Sequence, residues 1–236
     1  MDERAAACPV LAVCGLGFEE EIAAGPGVVT VRGPGPARVL AGLEALLEAG
    51  SPAWAGIISF GCAGALDPAL APGACVVATG VLTRDEVLPA DAAWVRMLLE
   101  RVPEAWPGKL AGLDGPLASG AGKIGLWRDS GACAVDTESH AAALAARRHR
   151  LPFAACRVVL DPAWRDLPSC ALAGMREDGG SAPWPLLRTL AGAPRELAPL
   201  FALALDAWRA RRMLRQVRTR LGPGLAVPAP WPAAPQ

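Results

Sequence analysis

The chain has 236 residues, 53% apolar and 19% charged, enough to close one sizeable core and too apolar for a disordered polymer. Its 23 basic and 23 acidic residues cancel, so no charge excess calls for nucleic acid or marks a solvating tail. Seven cysteines, odd in number and without a C-x-x-C pair, and only two histidines, His140 and His149, point to buried free thiols in a reducing compartment and away from a metal site.

Asp2-Glu3-Arg4 lacks the basic start of a signal peptide, and the longest apolar stretch, residues 53–66, falls short of the ~20 residues that span a bilayer. A cytoplasmic protein is expected. Residues 9–14 read as a first strand, closed by Gly15-Leu16-Gly17, and 28–32 as a short second one. Val39, Leu40, Leu43, Leu46 and Leu47 fall at helical spacing and predict a helix over 37–49. Continuous apolar content makes 56–60 and 74–82 buried strands. A helix is expected over 91–102 with Asp91 at its start, a short strand over 132–135, a helix over 137–148, and a strand over 153–160 stopped by Asp161-Pro162. Strand and helix alternate as in a layered α/β fold. Beyond Pro168 the pattern turns to alanine- and leucine-rich helix, the longest piece expected over 195–221. The chain reads as one domain over 1–221 with a proline-rich flexible tail over 222–236.

Four constellations can carry chemistry. Gly15-Leu16-Gly17 precedes Glu19-Glu20-Glu21; glycines there let backbone amides approach a ligand, and a carboxylate beside them repels phosphate but orients water or a hydroxyl. A tight turn with acids complementing the helix dipole is the plainer reading. Gly61-Cys62-Ala63-Gly64-Ala65-Leu66 reads as a small-residue turn ending the buried strand that starts at Gly56, where α/β proteins bind ligands or pack a helix closely. Val135-Asp136-Thr137-Glu138-Ser139-His140 turns a strand into a helix; Glu138 can accept two hydrogen bonds from a vicinal diol, or cap the helix beside Asp136. Asp161 sits at the tip of its strand, placed to protonate a leaving group or simply to begin a turn before proline.

The order and spacing of these elements resemble the purine nucleoside phosphorylase and methylthioadenosine nucleosidase superfamily. There the central turn reads G-S-x-G-[AG]-L, the helix start [VE]-x-M-E and the strand tip R-x-[IV]-S-D. Here they read Gly61-Cys62-Ala63-Gly64-Ala65-Leu66, Val135-Asp136-Thr137-Glu138 and Arg157-Val158-Val159-Leu160-Asp161. Within it, Gly56-Ile57-Ile58-Ser59-Phe60-Gly61, Val135 to His140, Leu151-Pro152-Phe153-Ala154 and Asp161-Pro162-Ala163 are most similar to the hopanoid-associated phosphorylases, which are thought to remove adenine from a nucleoside joined to a hopane lipid. The resemblance implies a three-layer α/β/α sandwich with a central mixed sheet, a homo-oligomer, and no cofactor beyond phosphate as a co-substrate. It implies phosphorolysis of a purine nucleoside or nucleoside-lipid, with Asp161 as general acid and Glu138, beside Thr137, holding the ribose. Gly61, Cys62, Ala63 and Gly64 would floor the substrate site, and Gly17 and Ser59 would meet phosphate. Glu19 or Glu21 would orient the nucleophile, either acid matching the family's position.

Thr137 replaces the family's methionine, Leu160 its serine, Cys62 a phosphate-contacting serine, and Ser59 stands where an arginine is usual in the bacterial hexameric enzymes. Without that bidentate donor, a hydrolytic nucleosidase is the alternative to a phosphorylase, and a non-catalytic nucleoside-binding protein a third reading. Finally, Leu200, Leu203, Ala207, Ala210, Leu214, Val217 and Leu221 form one stripe on the last helix, with Trp208, Arg211, Arg212, Arg215 and Arg218 beside it. Such a face packs onto its own sheet or a partner copy, or settles peripherally on an anionic membrane.

Overall fold

The computed structural model describes residues 8–50, 53–173, 188–190 and 192–228. In chain order the strands are β1 (Val10–Cys14), β2 (Val28–Arg32), β3 (Gly56–Ala65), β4 (Cys75–Leu82), β5 (Val87–Pro89), β6 (Trp106–Gly112), β7 (Ala134–Asp136) and β8 (Phe153–Asp161). The helices are α1 (Gly17–Ala23), α2 (Pro36–Glu48), α3 (Ala92–Arg101), α4 (Gly120–Ser130), α5 (Ser139–Arg148), α6 (Ser169–Ala173) and α7 (Leu197–Leu221).

The strands form one mixed sheet. β1 lies between β2 and β3, parallel to both. β3 pairs with β8 in parallel and, through Gly64 and Ala65, with β7 in antiparallel sense. β8 pairs with β4, β4 with β6, and β6 with β7. The path β3-β8-β4-β6-β7 therefore returns to β3, which is long enough to serve both ends of this ring. Side chains alternate across the strands. Leu11, Val13, Phe153 and Ala155 face α2 and α5, whereas Val10, Ala12, Ala154 and Cys156 face α1, α3 and α7. The sheet is thus covered on both sides, as a three-layer α/β/α arrangement requires. α5 lies close because Ala141, Ala142, Ala143, Ala145 and Ala146, all buried, keep its inner faces small.

Several expectations change. Residues 61–65 are not a turn: β3 runs on through them, its register against β8 shifting between Ala63 and Gly64, a bulge that bends the strand towards β7. Three elements escape sequence reading. β5 has only three residues, and β6 contains Pro107 and Gly108. Proline is tolerated there because pairing with β7 begins only at Leu110. α4 has little apolar periodicity; its signals are Ser119 at the N-cap, accepting from the Gly122 amide at 3.3 Å, and Gly131 in the left-handed C-terminal position.

The tail expected to be flexible from Gly222 is instead folded at its start. Pro223–Ala226 form a 3-10 turn with Leu225 buried, and the Trp94 indole donates to the Leu225 carbonyl at 3.0 Å; residues 229–236 lie outside the described residues. On α7, Ala210, Leu214, Val217 and Leu221 are buried against the sheet, so the stripe packs inward. Three of its arginines are engaged: Arg218 binds the Ala23 and Gly222 carbonyls, Arg212 covers the Trp208 ring, and Arg211 covers the Phe18 ring. Among the described residues no helix is long and apolar enough to cross a membrane, and no cluster of His, Cys, Asp and Glu is arranged to hold a metal ion.

Candidate active site

Where β1 ends, Gly15 and Leu16 lead into α1, and Glu19 folds back over its own helix start. One carboxylate oxygen accepts from the Gly15 and Leu16 amides at 2.8 and 3.0 Å; the other accepts from the Cys62 amide on β3 at 2.8 Å. Two glycines make room. A Cβ on Gly61 would sit 2.6 Å from both the Glu19 carboxylate and the Arg157 guanidinium, and one on Gly15 would meet the Glu138 carboxylate at 3.0 Å.

Arg157, in the middle of β8, is wholly enclosed. An uncompensated charge there would be prohibitive, and its surroundings supply the compensation. Its Nε lies 2.7 Å from Asp136 Oδ2, and one terminal nitrogen lies 2.5 Å from Ser59 Oγ and 3.4 Å from Glu138 Oε2. Asp136 in turn accepts from the Ser139 amide at 2.9 Å and from the Ser139 hydroxyl, so the β7–α5 junction is capped and the guanidinium neutralised by one side chain. Glu138 Oε1 accepts from the Gly35 amide at 3.1 Å and from the Thr137 hydroxyl at 2.5 Å.

At the tip of β8, Asp161 is 5% exposed. It is ion-paired with Lys123 of α4, whose ammonium also donates to the Arg165 carbonyl at 2.8 Å. Burial pushes the Asp161 carboxyl above its ordinary range, and Lys123 pulls it back. Burial also lifts Glu19, with Glu138 adding to the effect and Arg157 opposing it. The Cys62 thiol is held well above its usual range by burial and by Glu19, so it remains a neutral thiol.

These groups surround a cavity of about 220 Å³ lined by Gly15, Leu16, Glu19, the 62–64 and 135–138 segments and Asp161, with Leu117, Leu160, Leu167 and Leu203 as apolar wall. Glu19, Asp136, Glu138 and Asp161 line it, and no lysine or arginine does so among the described residues. Glu19, Thr137, Glu138, Cys62, Ala63, Gly64 and Asp161 are thus brought together.

Other expected site residues lie elsewhere. Glu21 points away from the cavity, its side chain 73% exposed and 3.5 Å from Arg211. A helix turns about 200° over two residues, so only one of Glu19 and Glu21 can face inward. Ser59 is fully buried, its hydroxyl taken by Arg157 and by Ser139 at 2.9 Å, and so is not open to phosphate. Gly17 is the first residue of α1 and faces the Arg32 side chain rather than the cavity. Gly61 stands behind the floor, giving space to Arg157 and Glu19. Sequence reading did not single out Lys123 or the role of Arg157; the one charge inside the apolar run 153–160 was the available signal.

The cavity lies at the ends of β1, β3, β7 and β8, with carboxylates after β1, at β7 and at the tip of β8, the place where sheets of this class bind small organic ligands. Residues 9–169 match the phosphorylase superfamily, and the chain belongs to that superfamily. No curated relative matches it. Among solved structures it is similar to the S-adenosylhomocysteine nucleosidase of Streptococcus pyogenes in complex with 5-methylthiotubericidin, at 16% identity over 93% of this chain and 99% of that one, with a TM-score of 0.63. The methylthioadenosine/S-adenosylhomocysteine nucleosidase of Colwellia psychrerythraea in complex with adenine gives 16% identity, 91% and 96% coverage and a TM-score of 0.62. Futalosine hydrolase of Helicobacter pylori gives 14% identity, 91% and 99% coverage and a TM-score of 0.61. At these identities the likeness is one of fold.

Proposed function

We propose that the chain cleaves the N-glycosidic bond of a purine nucleoside, with water as the nucleophile. The observation that carries this reading is the cavity's lining: Glu19, Asp136, Glu138 and Asp161 face it, whereas among the described residues no lysine or arginine does, Arg157 and Lys123 standing behind the carboxylates they pair with. Phosphate needs donors such as arginine, whereas a buried carboxylate can bind and deprotonate water. The phosphorolysis implied by the family resemblance finds no such donor in the cavity wall, with Ser59 enclosed and Gly17 turned away.

In this reading Glu138 holds the ribose hydroxyls and Glu19 holds the water. As the C1′–N9 bond breaks, its electron pair moves to the base, and N7 takes the proton of Asp161. The water oxygen bonds to C1′ and its proton passes to Glu19. Products are the free purine and the free sugar, and solvent exchange resets both carboxyls. Acid and base roles of this kind each contribute typically 10²–10⁴-fold.

The resemblance to hopanoid-associated phosphorylases suggests the substituent at the 5′ end. Leu16, Leu117, Leu160, Leu167 and Leu203 suit an apolar group, and adenine on a hopanoid-linked ribose is the substrate we favour. The cavity, about 220 Å³, is below the ~300 Å³ of ordinary ligand sites, so a polycyclic tail would extend through the mouth. Leu203 lines that cavity on α7, the helix that also carries the exposed Leu197, Phe201 and Leu205. Incubation with adenosine bearing hydroxyl, methylthio or long alkyl 5′ substituents tests the reading. Adenine release that rises with the apolar substituent is expected, and no release from any of them would leave only ligand binding.

A further inference from the structure

We propose that Lys123 is the positioning residue of the acid: delivered by α4, its buried ammonium fixes the Asp161 carboxyl at the leaving base and balances the charge that carboxyl acquires on giving up its proton. This rests on Asp161 meeting the base as read above.

Lysine is among the side chains least often buried without a partner, yet Lys123 is 1% exposed. It has three N–H groups to satisfy and three acceptors in reach, from the end of β8 and the segment that follows it: Asp161 Oδ2, the Arg165 carbonyl at 2.8 Å and the Pro162 carbonyl at 3.4 Å. Only one Asp161 oxygen is engaged by the lysine. Both carboxylate oxygens lie beside Gly64 of the cavity floor, Oδ1 and Oδ2 standing 3.4 and 3.5 Å from where a Cβ would be. The lysine bond occupies Oδ2, which holds the carboxyl against the floor with Oδ1 outside that bond.

The helix start is shaped for this delivery. A Cβ on Gly120 would sit 2.6 Å from the Trp164 carbonyl, so only glycine allows the approach. The Gly120 amide donates to Asp166 Oδ1 at 2.7 Å. Gly120 and Lys123, one turn apart on one face, therefore dock α4 onto residues 161–166.

The groups acting on Asp161 are Lys123 from α4, Arg165 from the segment after β8, Asp206 from α7 and the neutral Cys62 thiol from β3. Arg165 is already paired with Asp206 at 2.5 Å, which leaves Lys123 as the dedicated counter-charge. When the Asp161 proton passes to N7, a carboxylate forms where burial opposes it. The ammonium keeps its three protons and pairs with that carboxylate, and solvent returns a proton to Asp161 after the products leave. The effect belongs to the chemical step, hence to kcat more than KM.

The test compares Lys123→Met, Lys123→Gln, Lys123→Arg, Asp161→Asn and the double variant Asp161→Asn/Lys123→Met, using adenosine as substrate and NMR of protein carrying ¹³C-labelled aspartate carboxyls. Lys123→Met should lower kcat about 10²-fold with a much smaller change in KM. Its alkaline limb should move to higher pH, because removing the ammonium strengthens the acid's hold on its proton. The double variant should be no slower than Asp161→Asn, since Lys123 acts through that residue. Unchanged kcat and limb in the folded Met variant, or losses that multiply in the double variant, would overturn the proposal. If the Met variant does not fold, Lys123→Gln and the double variant, which leaves no unpaired charge, carry the same comparison, and Lys123→Arg should hold the limb in place. If the wild type cleaves no nucleoside, the functional reading fails by itself. The Asp161 titration then decides: an upward shift on losing Lys123 upholds the pairing, and an unmoved one ends it.

Discussion

Glu19 and Asp161 are both lifted above the ordinary carboxylate range by burial, and the proposed reaction needs them in opposite states. Activity should fall at low pH as Glu19 gains a proton, and at high pH as Asp161 loses one, giving a bell-shaped kcat profile. Glu19→Gln should lower kcat by about 10²-fold or more, and Asp161→Asn should remove the alkaline limb; a flat profile in the wild type would break the assignment. Glu138→Gln should penalise ribosides more than 2′-deoxyribosides, because a charged hydrogen bond to a hydroxyl is worth ~1.5–3 kcal/mol. Equal losses measured on both would leave Glu138 a structural partner of Arg157, Gly35 and Thr137. Asp161 and Glu138 were legible in sequence because each stands where a strand meets a turn. The choice between Glu19 and Glu21 was not, since it depends on the rotation of α1 about its axis. Lys123 was hidden in a glycine-rich stretch without periodicity, and its partner lies 38 residues away in sequence.

At the scale of elements, β3 does the most to place the site. Its small residues look like a turn, yet Gly61 is a strand residue whose missing side chain leaves space for Arg157 and Glu19. Gly61→Ala should therefore destabilise the fold by about 1–3 kcal/mol, the usual range for overpacking, and impair turnover as well; a denaturation curve superimposable on wild type would show that the strand yields. The segment after α7 behaves as core. Leu225→Ala should cost about 2–5 kcal/mol, as for other buried leucines, whereas a truly flexible tail would register no change in melting. Helix α7 itself was read correctly as amphipathic, because three- and four-residue spacing survives translation into structure. Its packing partner was not legible, since the same stripe fits a sheet, a second copy or a membrane.

For the molecule as a whole, alternation of strand and helix was enough to announce an α/β layered fold. The closing of β3, β8, β4, β6 and β7 into a ring was not, because it rests on pairings between distant segments and on a strand, β6, that carries proline and glycine. We propose that copies of the chain associate, as the family resemblance implies, with the exposed Leu197, Phe201 and Leu205 of α7 as one apolar surface available for burial; light scattering at micromolar concentration should then give a mass above that of one chain.

In the proposed reaction water attacks C1′ in a cavity lined by carboxylates. Cleavage of a 5′-substituted adenosine in ¹⁸O-labelled water, with and without inorganic phosphate, tests it directly by the mass of the sugar released. One heavy oxygen in a free sugar and a rate indifferent to phosphate are expected. An unlabelled sugar 1-phosphate, formed only when phosphate is present, would contradict it.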